Sequence, residues 1–475
     1  MSTANKIFSN TVWQMVIRAV SVLIGVLNLA LITRILGTTN FGFYTTIFAF
    51  VQTFMIFADL GLYLTLLREV SEAKDCKQES RVVNNIFTIR FFASLFFLGL
   101  APLLVYFLPY DQEVKTHITY FLLAFFFQSL VSTLSAVFAK KLEMPKVAIA
   151  DLANKVVYFF VLLYLFFEFG NLKQVLSWHS ATQAFGFVIL FFFLRKHVHL
   201  NFAWDFKYWK KVLIATWPLA LTVVLNLVYF KADTLILSAF ASPEDVGLYG
   251  APYRILEVLV TFPHMFMSLI LPLFTAAYLT DNLGRLKEIW QNVLNFFIVL
   301  SGAMLLGTWL ISKPLMILLA GSDFAISGQI LNILIIATVA IFFGTLFTYL
   351  VVAIAAQKEM VKYFLLAAIF GLLGYFLFIP SFGYWAAAWM TVFVEFLIAF
   401  FAYLVLRKHL KLKSDLNVLY KTAEAFLLAF AFGYLIRSWH FILVFVLSLT
   451  VYALSLYLLK AVDYKTIQQL FNKSE

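Results

Sequence analysis

Apolar residues in this chain do not alternate with polar ones; they run. Stretches of at least about 18 apolar residues recur between charged or turn-rich breaks, each long enough for a helix to cross a bilayer core. The pattern predicts fourteen helices, near 9–33, 41–65, 82–107, 116–138, 147–168, 172–194, 213–238, 247–273, 290–311, 327–355, 361–379, 384–406, 418–436 and 440–460. The breaks are short and leave no room for an extramembrane catalytic domain. A spanning β-barrel needs alternation, so the expected fold class is an all-α polytopic membrane protein. The opening stretch MSTANKIFSNTVWQ has no small-residue cleavage site behind a short apolar core and reads as the start of a retained span.

Composition agrees. Of 475 residues, 63% are hydrophobic and only 12% charged, with 56 Phe, where a soluble domain is about a quarter charged. Lys and Arg in the connections set the orientation. Twenty-five fall on one side, and only Arg34, Lys115, Lys173, Lys313 and Arg437 on the other. Both termini are therefore expected in the cytoplasm. The net charge of +11 follows from that topology and gives no support to a nucleic-acid partner. The single cysteine, Cys76, excludes an intrachain disulfide and a cysteine metal site.

The longest basic connection, RKHVHLNFAWDFKYWKK, divides six spans from the rest. Its Trp204, Tyr208 and Trp209 among lysines suggest a short helix on the membrane surface or an ordinary interfacial linker. The expected organisation is a six-helix bundle at 1–195, a cytoplasmic linker at 196–212, a second six-helix bundle at 213–407, and a last helix pair with a tail at 408–475. Two halves of six spans start on the same side, as parallel repeats about the membrane normal would. Gly42-x-Tyr44 and Gly247-x-Tyr249 occupy matching points in the two halves. Pro218 in span seven, and Pro252, Pro263 and Pro272 in span eight, suit either a hinge or a static kink; Pro218, Pro252 and Pro263 are the hinge candidates.

The segments RILGTTNFGFY (34–44), FADLGLYLTLLREVS (57–71), KADTLILSAFASPEDVGLYGAPYRI (231–255) and GYWAAAWMTV (383–392), on a 6+6+2 layout, resemble the polysaccharide transporters. These are the Wzx-type flippases of the multidrug/oligosaccharidyl-lipid/polysaccharide exporter superfamily. The resemblance implies two six-helix bundles around a central cavity and an added helix pair. It implies movement of undecaprenyl-diphosphate-linked oligosaccharide from the inner to the outer leaflet of a bacterial inner membrane, by alternating access. It also implies an aspartate at Asp233 followed by Gly247-x-Tyr249. Ala386 departs from the glycine usual near GYWAAAW.

Five cations fall inside spans: Arg18, Arg90, Lys155, Lys231 and Arg254. A charge at mid-helix costs roughly 2.5–3.5 kcal/mol on insertion scales, so each should face a partner or a wet cavity. The acids near enough to pair are Asp59, Asp151, Asp233, Glu257 and Glu395, with Arg254 and Glu257 on one face at i, i+3. Either the pairs hold the bundle together, or some of the cations line the cavity and receive a diphosphate. Lys231 and Asp233, at i and i+2, point to roughly opposite faces. At 1.5 Å per residue, Arg18, Arg90 and Lys155 lie roughly 12–15 Å in from the cytoplasmic side, and Arg254 roughly 10 Å from the outer side. That placement suggests an inner cation group and an outer one, used in turn. Asn28, Gln52, Gln128 and Asn226 are candidate hydrogen-bonding walls.

Enzymatic readings find little. The seven histidines show no metal-ligand spacing, and no phosphate-binding G-x-x-x-x-G-K-[ST] occurs, so no metal and no nucleotide cofactor is expected. Transport would draw on an H+ or Na+ gradient or on that of the substrate. A lipid II flippase and a cation-coupled drug exporter of the same superfamily stay open as alternatives. The expected partners are the lipid-linked glycan, membrane lipids and glycan polymerase or assembly proteins.

Overall fold

A computed structural model describes residues 3–59, 61–410 and 414–461 of the chain. The basic positions Lys411, Lys413, Lys465 and Lys473 lie outside the described residues. Every long apolar run forms a helix, and no strand occurs among the described residues.

The first two expected spans form one element, α1 (Thr3–Asp59), broken by non-helical dihedrals at Gly37 (φ 65°, ψ −175°). There a Cβ would be strained by the left-handed φ. Beyond Gly61 comes a short amphipathic helix, α2 (Leu62–Glu72). The rest of the first half holds α3 (Cys76–Leu104), the short α4 (Gln112–His117), α5 (Thr119–Lys140), α6 (Met144–Phe167), α7 (Leu172–Leu194) and α8 (Phe206–Phe240). Then follow α9 (Pro243–Leu279), α10 (Leu283–Ala320), α11 (Ser327–Ala353), α12 (Gln357–His409), α13 (Asn417–Leu435) and α14 (Phe441–Leu458). Helix α12 breaks at Gly383 (φ 54°, ψ −134°) much as α1 does at Gly37.

Eleven helical stretches among the described residues are long and apolar enough to cross a membrane. Two of them contain the glycine bends, so each covers two of the fourteen expected runs. Starts are set by local chemistry. Asp75 accepts from the Gln78 amide, Asn282 from the Arg285 amide, and Asn171 with Gln174 forms a capping box.

The chain divides into two compact units, residues 1–250 and 251–475, with the boundary inside α9. In the first unit, Leu62, Leu66 and Val70 of α2 pack with Val83 and Ile86 of α3, Leu130, Leu134 and Val137 of α5, and Leu190 and Leu194 of α7. In the second, Met267 and Phe274 of α9 join Trp290, Val293 and Phe297 of α10, Leu346 and Leu350 of α11, and Ala402 and Val405 of α12. Helices α13 and α14 pack on α10 through small residues. A Cβ on Gly433 of α13 would come within 2.5 Å of Leu310 Cδ1 of α10, and one on Gly302 of α10 within 2.3 Å of the Tyr452 hydroxyl of α14.

No separate surface helix forms in the linker. Residues 198–205 carry no helix, and Tyr208 and Trp209 already belong to the first turn of α8. The extended stretch is pinned to α3 by a row of side chains one turn apart. Asn84 Oδ1 accepts from the Asn201 amide (3.1 Å), Thr88 Oγ1 from the Ala203 amide (3.0 Å), and Asn85 Oδ1 from the Asp205 amide (3.3 Å) and Trp209 Nε1 (3.0 Å). Arg81 closes on Asp205 at 2.6 Å, and the Tyr208 hydroxyl donates to Glu69 of α2. Hydrogen bonds from Arg81 and the Tyr208 amide hold the Asp205 carboxyl below the usual carboxylate range.

Candidate functional site

The intramembrane charges separate into groups. On α1, Arg18 is exposed, with no hydrogen bond or ion pair among the described residues. One turn on, Ser21 is buried and joins α1 to α6. Its hydroxyl donates to Asp151 Oδ2 at 2.6 Å and receives Lys155 Nζ at 2.9 Å, while Lys155 meets Asp151 at 3.0 Å. Asn28 Nδ2 donates to the Lys155 carbonyl at 3.1 Å. Lys155 is thus part of a closed polar triangle, as its i, i+4 spacing from Asp151 allows.

Arg90 on α3 is wholly buried and donates from Nη1 to Asp59 at 2.6 Å, at the end of α1. Its Nε and Nη2 are buried without a hydrogen-bond partner among the described residues. A guanidinium has five N–H donors in a planar fork, and one carboxylate uses few of them from this angle. Asp59 keeps 27% of its side chain exposed, so the pair has one open side.

Asp233, Lys231 and Tyr249 meet where α8 ends and α9 begins. Asp233 is buried to 1% and Tyr249 to 0% exposure. The Tyr249 hydroxyl donates to Asp233 Oδ2 at 2.6 Å, and the Thr234 amide to Oδ1 at 2.6 Å. Lys231 is buried too, with Nζ 5.9 Å from the Phe48 ring centre. Phe48 belongs to an aromatic group with Tyr44, Phe121 and Phe125. The paired glycine motifs touch at this end of the first unit. A Cβ on Gly42 would fall 1.7 Å from the Pro243 carbonyl oxygen, and one on Gly247 2.0 Å from that of Thr38. Each glycine therefore faces the carbonyl four residues before the other, a packing only glycine permits.

In the second unit, Arg254 Nη1 contacts Glu257 Oε2 at 2.8 Å, the i, i+3 pair expected. Glu395 is buried on α12 at 6% exposure. Pro252 and Pro263 lie inside α9, which stays helical through them, as it does through Pro272. Pro218 lies in the helical run of α8, but its side chain and that of Asn226 fall outside the described residues. Gln128 is exposed, and Gln52 Oε1 is buried without a partner among the described residues.

The structure brings the candidates together in local sets. Arg90 joins Asp59, Lys155 joins Asp151, Arg254 joins Glu257, and Lys231 lies buried beside Asp233. Two participants were missed by the sequence: Ser21, one serine in an apolar helix, and the Tyr249 hydroxyl. The Gly-x-Tyr repeat had marked Tyr249, but only as a landmark.

Against solved structures, the chain is similar to a lipid II flippase, MurJ, in an inward closed conformation. The TM-score is 0.77 at 13% identity, over 96% of this chain and 99% of that one. It is similar to an inward-facing multidrug resistance MATE family transporter of the MOP superfamily at TM-score 0.69 and 11% identity, over 82% and 94% of the two chains. A MOP superfamily transporter from Pyrococcus furiosus, described as having a binding pocket of reversed polarity, matches at TM-score 0.58 and 12% identity over 86% and 95%. At these identities the likeness establishes the fold. Compared with curated protein sequences, the chain has no match. The family model described as polysaccharide biosynthesis protein matches residues 7–278. With more than half of its length matched, this multi-span membrane chain of MOP transporter fold belongs to the polysaccharide biosynthesis protein family.

Proposed function

We propose that this protein is a flippase for undecaprenyl-diphosphate-linked oligosaccharide, the repeat unit of an O-antigen, capsule or exopolysaccharide. It carries the headgroup from the inner to the outer leaflet of a bacterial inner membrane by alternating access, with both termini in the cytoplasm. An H+ or Na+ gradient, or that of the substrate, drives the cycle, and a glycan polymerase receives the product. The observation that carries this reading is cationic capacity inside the spans beyond what the paired acids use. Arg18 is exposed with no partner among the described residues, and wholly buried Arg90 keeps two guanidinium nitrogens without a partner among them. A buried donor left unsatisfied costs about 1–3 kcal/mol, a penalty that a diphosphate oxygen would relieve. The family supports a glycan destination, and the fold supports membrane transport as the activity. A cation-coupled drug exporter would want acids exposed in the cavity. Here Asp233 and Glu395 are buried and Glu257 is engaged by Arg254.

Complementation in a flippase-deleted host tests the reading. Wild type should restore surface glycan and clear accumulated lipid-linked oligosaccharide, while Arg18→Ala and Arg90→Gln should fail at unchanged membrane level. Rescue of a lipid II flippase depletion instead, with no glycan rescue, would transfer the chain to peptidoglycan precursor. Arg254→Ala should fail as well, whereas activity in the double swap Arg254→Glu, Glu257→Arg would reduce that pair to a structural tie.

A further inference from the structure

Helix α9 carries a row of polar side chains that the charged groups do not account for. Thr261, His264 and Ser268 follow Arg254 and Glu257 at helical spacing, within a segment apolar enough to cross a membrane. Burial divides the helix lengthwise. Leu256, Val260, Pro263, Met267, Ile270 and Phe274 form the packed face, while His264 and Ser268 are exposed and Thr261 is half-buried along one edge of it. The other exposed edge, with Phe262, Leu269 and Leu273, is wholly apolar. An exposed imidazole is costly against lipid tails, so the polar edge must meet water or a polar ligand.

The chemistry of the row is specific. Thr261 and Ser268 hydroxyls donate back to the carbonyls of Val258 (2.7 Å) and Met265 (2.6 Å), which leaves their oxygen lone pairs facing outward. Pro272 has no N–H, so the Ser268 carbonyl receives no i→i−4 bond and is a further acceptor on this edge. From α11, Tyr349 lies alongside, its hydroxyl 3.4 Å from the His264 carbonyl and its ring centre 6.2 Å from the imidazole. Beyond Glu257 the row holds neutral donors and acceptors, with an aromatic ring beside them. That set suits hydroxyl-rich, uncharged groups rather than phosphate or metal. From Glu257 to Ser268 it extends roughly 16 Å at 1.5 Å per residue, room for several sugar rings end to end.

From this arrangement we infer that Thr261, His264, Ser268 and Tyr349 form a binding track for the carbohydrate of the transported lipid, continuing from the charged Arg254–Glu257 end. The inference rests on the flippase reading above. It assigns recognition of the sugars beyond the first to the second unit.

The test uses full-length protein in proteoliposomes with two cargoes: lipid-linked oligosaccharide extracted from the flippase-deleted host, and the same lipid trimmed enzymatically to its first sugar. The variant Thr261→Val, His264→Leu, Ser268→Ala should slow the full-length cargo about tenfold or more, the loss of two or three hydrogen bonds, and leave the trimmed cargo at the wild-type rate. His264→Asn alone, which keeps a donor and an acceptor, should retain most activity. Equal rates for both cargoes in the triple variant would overturn the track. So would equal loss of both cargoes, or an unfolded triple variant combined with a His264→Leu single variant that transports normally. If wild type moves neither cargo, the flippase reading falls first and the track with it.

Discussion

Asp233 illustrates how a single carboxylate survives in an apolar stretch. It is buried to 1% and receives the Tyr249 hydroxyl, the Thr234 amide and the Thr234 hydroxyl. Each such bond offsets part of the desolvation of the charge. Tyr249→Phe deletes one donor and leaves the ring, so thermal unfolding in lipid nanodiscs should report a loss of about 1–3 kcal/mol. At the glycine contact the argument is steric. Gly247→Ala would place a Cβ 2.0 Å from a backbone oxygen, while Gly25→Ala on α1 meets nothing within 4 Å. The first should destabilise by about 1–3 kcal/mol and the second should be neutral or slightly stabilising, read from the same melts. The sequence made Asp233 conspicuous because charge is rare in the run around it. It could not reveal Ser21 or His264, since one small or ambivalent side chain in an apolar helix carries no signal until the buried face is known.

The linker is the element whose behaviour differs most from its composition. Its aromatics and lysines read as an interfacial strip, and Phe202, Trp204 and Phe206 are indeed exposed. What holds it is polar: Asn84, Asn85 and Thr88 on α3 supply the acceptors for its backbone amides. Those residues look like ordinary polar positions near a helix start, because their partners are more than a hundred residues away. Asn85→Ala should raise hydrogen–deuterium exchange across 201–205 well above wild type. The Asp205 tie adds a pH dependence whose sign follows from its lowered pKa. Asp205 favours the docked linker above the unfolded carboxylate value of about 4, and the contribution is lost as pH falls through its lower folded value. Protection at 201–205, taken relative to intrinsic exchange at each pH, should therefore fall on acidification below about pH 4 in wild type, and change less in Asp205→Asn, which starts with low protection.

For the whole molecule, run lengths and the charged breaks between runs made most of the helical architecture readable, because a bilayer imposes both. The all-helical fold and the positions of the long helices follow from them. The bends were less visible. Gly37 sits in a Gly-Thr-Thr-Asn stretch that reads as a loop, yet helix continues on both sides of one left-handed residue. Orientation has a direct test in Cys76, the single cysteine, exposed at the start of α3. In intact cells it should react with a membrane-permeable maleimide and stay protected from an impermeant one. Labelling by both would reverse the orientation drawn from the basic residues.

The contact between Gly42 and Gly247 is reciprocal in its atoms. Each alpha carbon lies against the carbonyl oxygen four positions upstream of the other, Pro243 for one and Thr38 for the other. Neither side has slack to lend. A methyl group at position 42 cannot be accommodated by trimming position 247, which is already bare. Drift at either site is thus closed off in the same way. Both positions should stay glycine together, or be lost together along with the close approach itself.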